Sequence, residues 1–293
     1  MYRVTCFVLA LVFFLRAAEA DPLESSLPEI TSSGLRGKVS QFMEFERDQR
    51  SLLVLRRSVV FARDGKPTAE RNYGITGDLT SETRFVYSKE GRLVEVRGID
   101  PSGRLAWRYS YSYDEVGRMS AESAFDSSGG LEGRIVYSYD GKGRLSRKSR
   151  YDKAGNASLE DILQYDEKSR LVVRLTLYSD GKLLKRVVYF YDARGREAVE
   201  ERYDANGLYE REEYAYGEDG YLAAIKTFAP SGSLKRRVKR TSGTDGRVIE
   251  ESAFGPDGTL RSRTEYQYDA TGNWVSRYET GGSFVFREYI YFE

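Results

Sequence analysis

No histidine occurs in this 293-residue chain, and its one cysteine, Cys6, lies in an apolar leader. Ser-His-Asp and Cys-His catalysis therefore lack a base or a thiol, and the usual zinc sites lack their ligands. Carboxylates remain. A pair of them can do glycoside chemistry, but acidic residues recur throughout the chain and no pair stands out by position. Asp recurs at aromatic-Asp-x-x-Gly stretches, which raises the question of calcium. Hard cations need several converging oxygens, and Ser88, Gly217 and Gly243 occupy the corresponding positions in other units. The expectation is no metal, no cofactor and no catalytic residue, so the chain is not read as an enzyme. Aromatic stacking on a ligand such as a sugar ring is the chemistry left. Trp107 and Trp274 are the ligand-binding candidates because both depart from the repeat, although packing is the competing role for a large aromatic.

That repeat positions everything else. Tyr111 to Val136, YSYDEVGRMSAESAFDSSGGLEGRIV, is followed 26 residues on by YSYDGKGRLSRKSRYDKAGNASLEDI. One glycine series runs Gly65, Gly91, Gly117, Gly143, Gly195, Gly220, Gly246 and Gly272, with Ser169 in one place. A second runs Gly77, Gly103, Gly129, Gly155, Gly181, Gly207, Gly232 and Gly258, and each series has one step of 25. Such periodicity identifies an array of small identical units. Asp first and Gly fourth is the demand of a type I turn closed by a left-handed residue. The pairs Asp114 and Gly117, Asp126 and Gly129, Asp140 and Gly143, Asp152 and Gly155, Asp192 and Gly195, Asp204 and Gly207, and Asp269 and Gly272 are therefore structural turn residues. On this reading Gly143→Val damages stability more than Lys148→Val.

Between turns lie stretches of alternating character, which read as strands with one covered face. Aromatic–Leu or aromatic–Met pairs across each turn (Tyr113 with Met119, Phe125 with Leu131) are expected on one and the same face. Mid-strand charges such as Arg97, Arg147, Lys226 and Arg236 are expected there too. Nine units of two strands predict about 18 strands, more than an open sheet holds without curling. The expected fold is all-β: tandem antiparallel hairpins of 26 residues forming one long curled sheet, a spiral shell or β-solenoid, with exposed end strands open to self-association.

The opening 1–20, MYRVTCFVLALVFFLRAAEA, has the form of a secretory signal peptide, and 21–34 reads as a linker. Residues 35–58 read as an atypical N-terminal capping segment, with a short helix near Phe42–Arg50 as a rival. The array occupies 59–293, and SFVFREYIYFE is its closing strand. Without Arg3, Arg16 and Glu19 of the leader, the 46 Lys and Arg and 45 Asp and Glu become 44 of each. No basic field draws nucleic acid. An outer-membrane barrel is disfavoured because Arg97, Arg147, Lys226 and Arg236 would face lipid near mid-strand.

The motifs YSYDEVGRM, YSYDGKGRL, YFYDARGRE and YQYDATGNW resemble the YD or Rhs repeat family, which includes wall-associated proteins, toxin-complex shells and the teneurin ectodomain. LYSDGKLLKRVVYF also looks like the MORN-like repeats of certain antitoxin or immunity-type proteins. The first resemblance implies hairpins in a spiralling sheet that serves as shell, scaffold or adhesive surface. No autoproteolytic segment or toxin domain is recognisable beside the repeats. Two functions stay open: an exported, non-enzymatic surface binding a glycan or an envelope protein, in the periplasm, at the cell surface or outside, or a scaffold or immunity-type protein occluding a protein partner.

Overall fold

The computed structural model describes residues 35–47 and 52–293. The expected signal peptide and linker lie outside them. The first strands are β1 (Val39–Arg47), β2 (Leu53–Phe61), β3 (Pro67–Tyr73), β4 (Leu79–Tyr87), β5 (Leu93–Ile99), β6 (Leu105–Tyr113) and β7 (Met119–Asp126). Next come β8 (Leu131–Tyr139), β9 (Leu145–Asp152), β10 (Ala157–Tyr165), β11 (Leu171–Tyr178), β12 (Leu183–Tyr191), β13 (Glu197–Asp204) and β14 (Gly207–Tyr216). The last are β15 (Leu222–Phe228), β16 (Leu234–Ser242), β17 (Val248–Phe254), β18 (Leu260–Tyr268), β19 (Trp274–Glu279) and β20 (Ser283–Tyr291). The segment 35–58 thus supplies β1, a strand rather than a helix, and the start of β2.

Local chemistry makes each hairpin. At Asp114 the backbone N–H donates to the Arg118 carbonyl (2.8 Å), and the Gly117 N–H donates back to the Asp114 carbonyl (2.9 Å). The Asp114 carboxylate accepts the Arg118 N–H at 2.8 Å. Gly117 sits at φ +88°, a conformation that a Cβ disfavours, and Ser169 is the one non-glycine with positive φ among the described residues. The step of 25 has a simple origin. Leu208 follows Gly207 directly, where other units keep one residue between glycine and leucine, and Tyr203 still pairs with Leu208.

A bulge follows each turn from β2–β3 to β18–β19, and β19–β20 has none. Tyr113 pairs with Met119, but Ser112 already pairs with Ala121. The extra residue resets the alternation of faces. Phe125 therefore falls opposite Arg108, five residues from Tyr113 on β6, and the Arg108 guanidinium lies 4.1 Å from its ring centroid. This corrects the single-face expectation. Tyr113 and Met119 share one face, whereas Phe125 and Leu131 lie on the other.

The Tyr113 face collects Tyr111, Ile135, Tyr137, Leu163 and Val187, all buried. The opposite face shows Arg84, Arg97, Arg134 and Arg147 exposed. Side chains converge on the concave side of a curved sheet and splay on the convex side, so the Tyr113 face is the inner one.

The sheet has 20 strands, and its ends meet. β1 pairs with β2 on one side and with β20 on the other, from Val39 opposite Tyr291 to Glu46 opposite Val285. The protein is a closed antiparallel barrel, which corrects the open curled sheet, spiral shell or solenoid. Closure satisfies both edges, and an even strand count lets it occur in the antiparallel sense. The end strands expected to be open to self-association are thus paired with each other. At the seam the Phe42 ring lies 6.1 Å from Phe61 and 6.0 Å from Tyr289. Asn273, 2 % exposed, accepts the Arg36 N–H at 2.6 Å and donates to the Arg36 carbonyl at 2.8 Å, clamping positions 237 apart in sequence.

Candidate functional site: the charged inner belt

The inner face is not a dry core. Lys148 on β9 stands opposite Tyr137 on β8 and Asp161 on β10, and Asp161 stands opposite Thr176 on β11. The bulge after Gly143 turns Lys148 and Arg150 inward and Arg147 outward. Arg150 donates to Asp161 at 2.7 Å, with side chains 8 % and 4 % exposed. Thr176 donates to the other Asp161 oxygen at 2.6 Å, and the Tyr137 hydroxyl donates to Glu122 at 3.2 Å. Arg174 is buried beside them.

Electrostatics follow from this packing. Burial pushes the Asp161 carboxyl up, but the Arg150 charge and hydrogen bond, the Thr176 hydroxyl and Arg174 together hold it below its ordinary 3.8. Burial pulls Lys148 below 10.5. Asp161 opposes that shift, while Arg150 and Arg174 reinforce it. Burial also raises the neighbouring Tyr109 to about 12.

Farther round the ring the belt turns acidic. Glu200 on β13 stands opposite Glu212 on β14. Arg202 reaches Glu200 at 2.6 Å, Glu210 at 2.6 Å and Glu212 at 3.1 Å. The Tyr214 hydroxyl donates to Glu212 at 3.0 Å and lies 3.5 Å from Glu200. Burial raises the Glu200 carboxyl above 4.5 in spite of Arg202, and Glu212 pushes it further.

The two tryptophans are not brought together. Trp107, on β6, lies flat over Gly98, where a Cβ would fall 2.1 Å from the indole, and meets the Tyr109 ring edge-on at 5.3 Å. Trp274, on β19, carries the Arg287 guanidinium 3.8 Å above its ring. Both are half-buried, with one ring face already covered by protein. The turn aspartates stay at the rims, bonded within their own turns: Asp126 to the Ser128 N–H, Asp152 to Asn156, Asp192 to Arg196, Asp204 to the Asn206 N–H and Asp269 to the Asn273 N–H. Asp140 does the same with Arg144.

Sequence reading missed the belt because it carried one parity through each turn. The signal was present: a glycine turn that leads into a bulge inverts parity on leaving it.

No protein-family model matches the chain, and no curated protein is similar enough to count as a match. Similar solved structures include the TcdB2-TccC3-Cdc42 complex, at 14% identity and TM-score 0.36, over 77% of this chain and 14% of that chain. Another is a porin-like protein from Bacteroides uniformis, at 11% identity and TM-score 0.39, over 86% of this chain and 98% of that chain. The chain thus spans a small part of the toxin chain and nearly the whole of the porin-like one. At these values the likenesses are distant and carry no argument.

Proposed function

We propose that the chain is an exported, non-enzymatic binding protein of the cell envelope or the space outside it, and that its ligand, a glycan or an envelope protein, is taken at the inner face of the ring. The reading takes the interior of the 20-stranded ring to be reachable, since barrels of 16–18 strands already leave an aqueous channel as a general rule of barrel size. The observation that carries the reading is the buried charge at Lys148, Arg150, Asp161 and Arg174. Buried ion pairs stabilise a fold little, and apolar replacements often do better, so a ligand is a better reason for their presence than stability.

The outer face offers no lipid band: Arg97 and Arg147 point outward and exposed, and each such charge at a bilayer midplane costs about 2–4 kcal/mol. Among the described residues no helix is long and apolar enough to cross a membrane.

A scaffold or immunity-type role has one observation in its favour. The outer face of β10–β12 gathers Ile162, Val173, Leu175, Val188 and Phe190, the last 47 % exposed, with Ser149 and Ser123 standing one and two units before Leu175. To separate the two readings, purified chain is offered in parallel to immobilised envelope glycans and to envelope protein extract, with Trp107→Ala and Phe190→Ser variants. Saturable retention weakened by the Trp107 change supports an inner-face ligand. One stoichiometric protein partner, lost with Phe190→Ser and untouched by Trp107→Ala, supports the scaffold and overturns the first reading.

A further inference from the structure

On β7–β11 the buried Lys148 feels the charges of Asp161, Arg150, Arg174 and Glu122. Asp161 is fully committed: one oxygen takes Arg150 Nη2 and the other takes Thr176. Glu122 holds the Tyr137 hydroxyl. Arg150 Nη1 is buried with no hydrogen-bond partner. A guanidinium presents its donors as a planar fork suited to oxyanions. Leaving one of those donors dry, beside a second buried cation in Lys148, costs more than most folds retain without a reason.

We propose that this place is an oxyanion site, in which Arg150 Nη1 donates to a carboxylate or phosphate oxygen and Lys148 supplies the second positive charge. The proposal deepens the binding reading and rests on its premise that ligand reaches the inner face. Thr176 and Asp161 orient Arg150 and do not touch the ligand. Lys148 is held from the other side by the Tyr137 ring, whose centroid lies 5.8 Å from its ammonium. A single ordered water on Nη1 is the competing explanation, since it would satisfy the donor without any anion.

Calorimetric titration of the full chain with inorganic phosphate, and separately with acetate, at constant ionic strength against chloride, decides between them. Saturable heat is expected for at least one, and which one tells phosphate from carboxylate. Arg150→Gln weakens it about tenfold or more, the loss expected for a charge-assisted bond. Should that variant fail to fold, Lys148→Gln carries the same test. Glu122→Gln, which removes a nearby negative charge and keeps an acceptor for Tyr137, tightens binding, an effect that structural damage does not produce. No saturable heat for either anion, or equal binding by folded Arg150→Gln, overturns the site in favour of the water. Phosphate heat without retention of any envelope component keeps the site and removes the wider binding reading. Retention with no anion heat removes the site alone.

Discussion

The two rims of the barrel use the same turn and reinforce it differently. At the Tyr-Asp rim, that of Gly117 and Gly143, each unit reaches into the next. Arg118 pairs with Asp114 at 2.7 Å and places its guanidinium 4.4 Å from the Tyr139 ring centroid, and the Tyr139 hydroxyl donates to the Met119 carbonyl at 2.7 Å. The pattern recurs with Arg92 and Tyr113, Arg144 and Tyr165, Arg170 and Tyr191, and Arg196 and Tyr216. It breaks where Tyr221 replaces the arginine and Ser242 the tyrosine, and again where Asn273 follows Gly272. At the second rim, that of Gly129 and Gly155, aspartates bond within their own turns. A Cβ on Gly103, Gly129, Gly155 or Gly181 would meet nothing within 4 Å. The first rim is tied unit to unit through the residue after the turn glycine, whereas the second is tied farther down its strands, by Arg108 over Phe125, Arg186 over Tyr203 and Lys235 to Glu210, with its glycine tips left open. Turn type forms the hairpin, and the residue after the glycine decides whether the turn itself is tied to its neighbour.

The largest contrast is expected between two asparagines in equivalent turn positions. Asn273→Ala opens three hydrogen bonds at the ring closure, to both backbone groups of Arg36 and to the Tyr291 hydroxyl, for a loss of about 3 kcal/mol at about 1 each. Asn156→Ala, at the second rim, stays within about 0.5 kcal/mol. Urea denaturation measures both, and equal midpoints would dissolve the distinction.

Next come matched glycines, both at φ +88°. Gly129→Ala carries the left-handed penalty alone, about 1–2 kcal/mol. Gly117→Ala adds a clash, since its Cβ would fall 2.5 Å from Arg92 Nη2, and Arg92 must leave Tyr113 to relieve it. Thermal melts that rank Gly129→Ala as the worse of the two would contradict the tie between units.

Tyr139→Phe forfeits its bond to Met119 for about 1 kcal/mol. Tyr151→Phe, whose hydroxyl makes no hydrogen bond among the described residues, changes stability by less than about 0.5 kcal/mol. Arg118→Met is milder again, losing a cation–ring contact of about 0.5–1 kcal/mol. Arg104→Met, 80 % exposed and bonded only to Asp100, is near neutral on the same melts.

The smallest expected effect is in acid. Asp140 is held below 3.8 first by the Arg144 side chain, and Asp126 first by the Ser128 hydroxyl. Both carboxyls are depressed in the folded state, so each contributes stability above 3.8 that is lost as pH falls through its lower folded value. Salt screens the Asp140 partner and spares the neutral one. Acid titrations of Asp140→Asn and Asp126→Asn at low and high salt should therefore converge with the parent only for the first variant. Glu200 has the opposite sign. Its raised carboxyl favours folding below 4.5 and loses that contribution as pH climbs through its folded value, so Glu200→Gln gains on the parent at neutral pH.

Much of this was legible in the residues. The turn at Asp114–Gly117 depends on groups four positions apart, and the strands between turns follow from alternation within nine residues. Lys148 shows where reading stopped. Offered only as a strand position to set against the Gly143 turn, it is buried opposite Asp161. One bulged residue, invisible to a period-two count, inverted its face.

The sequence by itself determined the turns, the strand lengths and the 26-residue register, because each rests on φ, hydrogen bonds and side-chain contacts among near neighbours. Tertiary structure decided that the sheet closes, which face is inner, and that Lys148, Arg150 and Asp161 converge. Those outcomes depend on curvature summed over 20 strands and on pairings such as Phe42 with Tyr289. No local pattern encodes the meeting of two edges that lie at opposite ends of the chain.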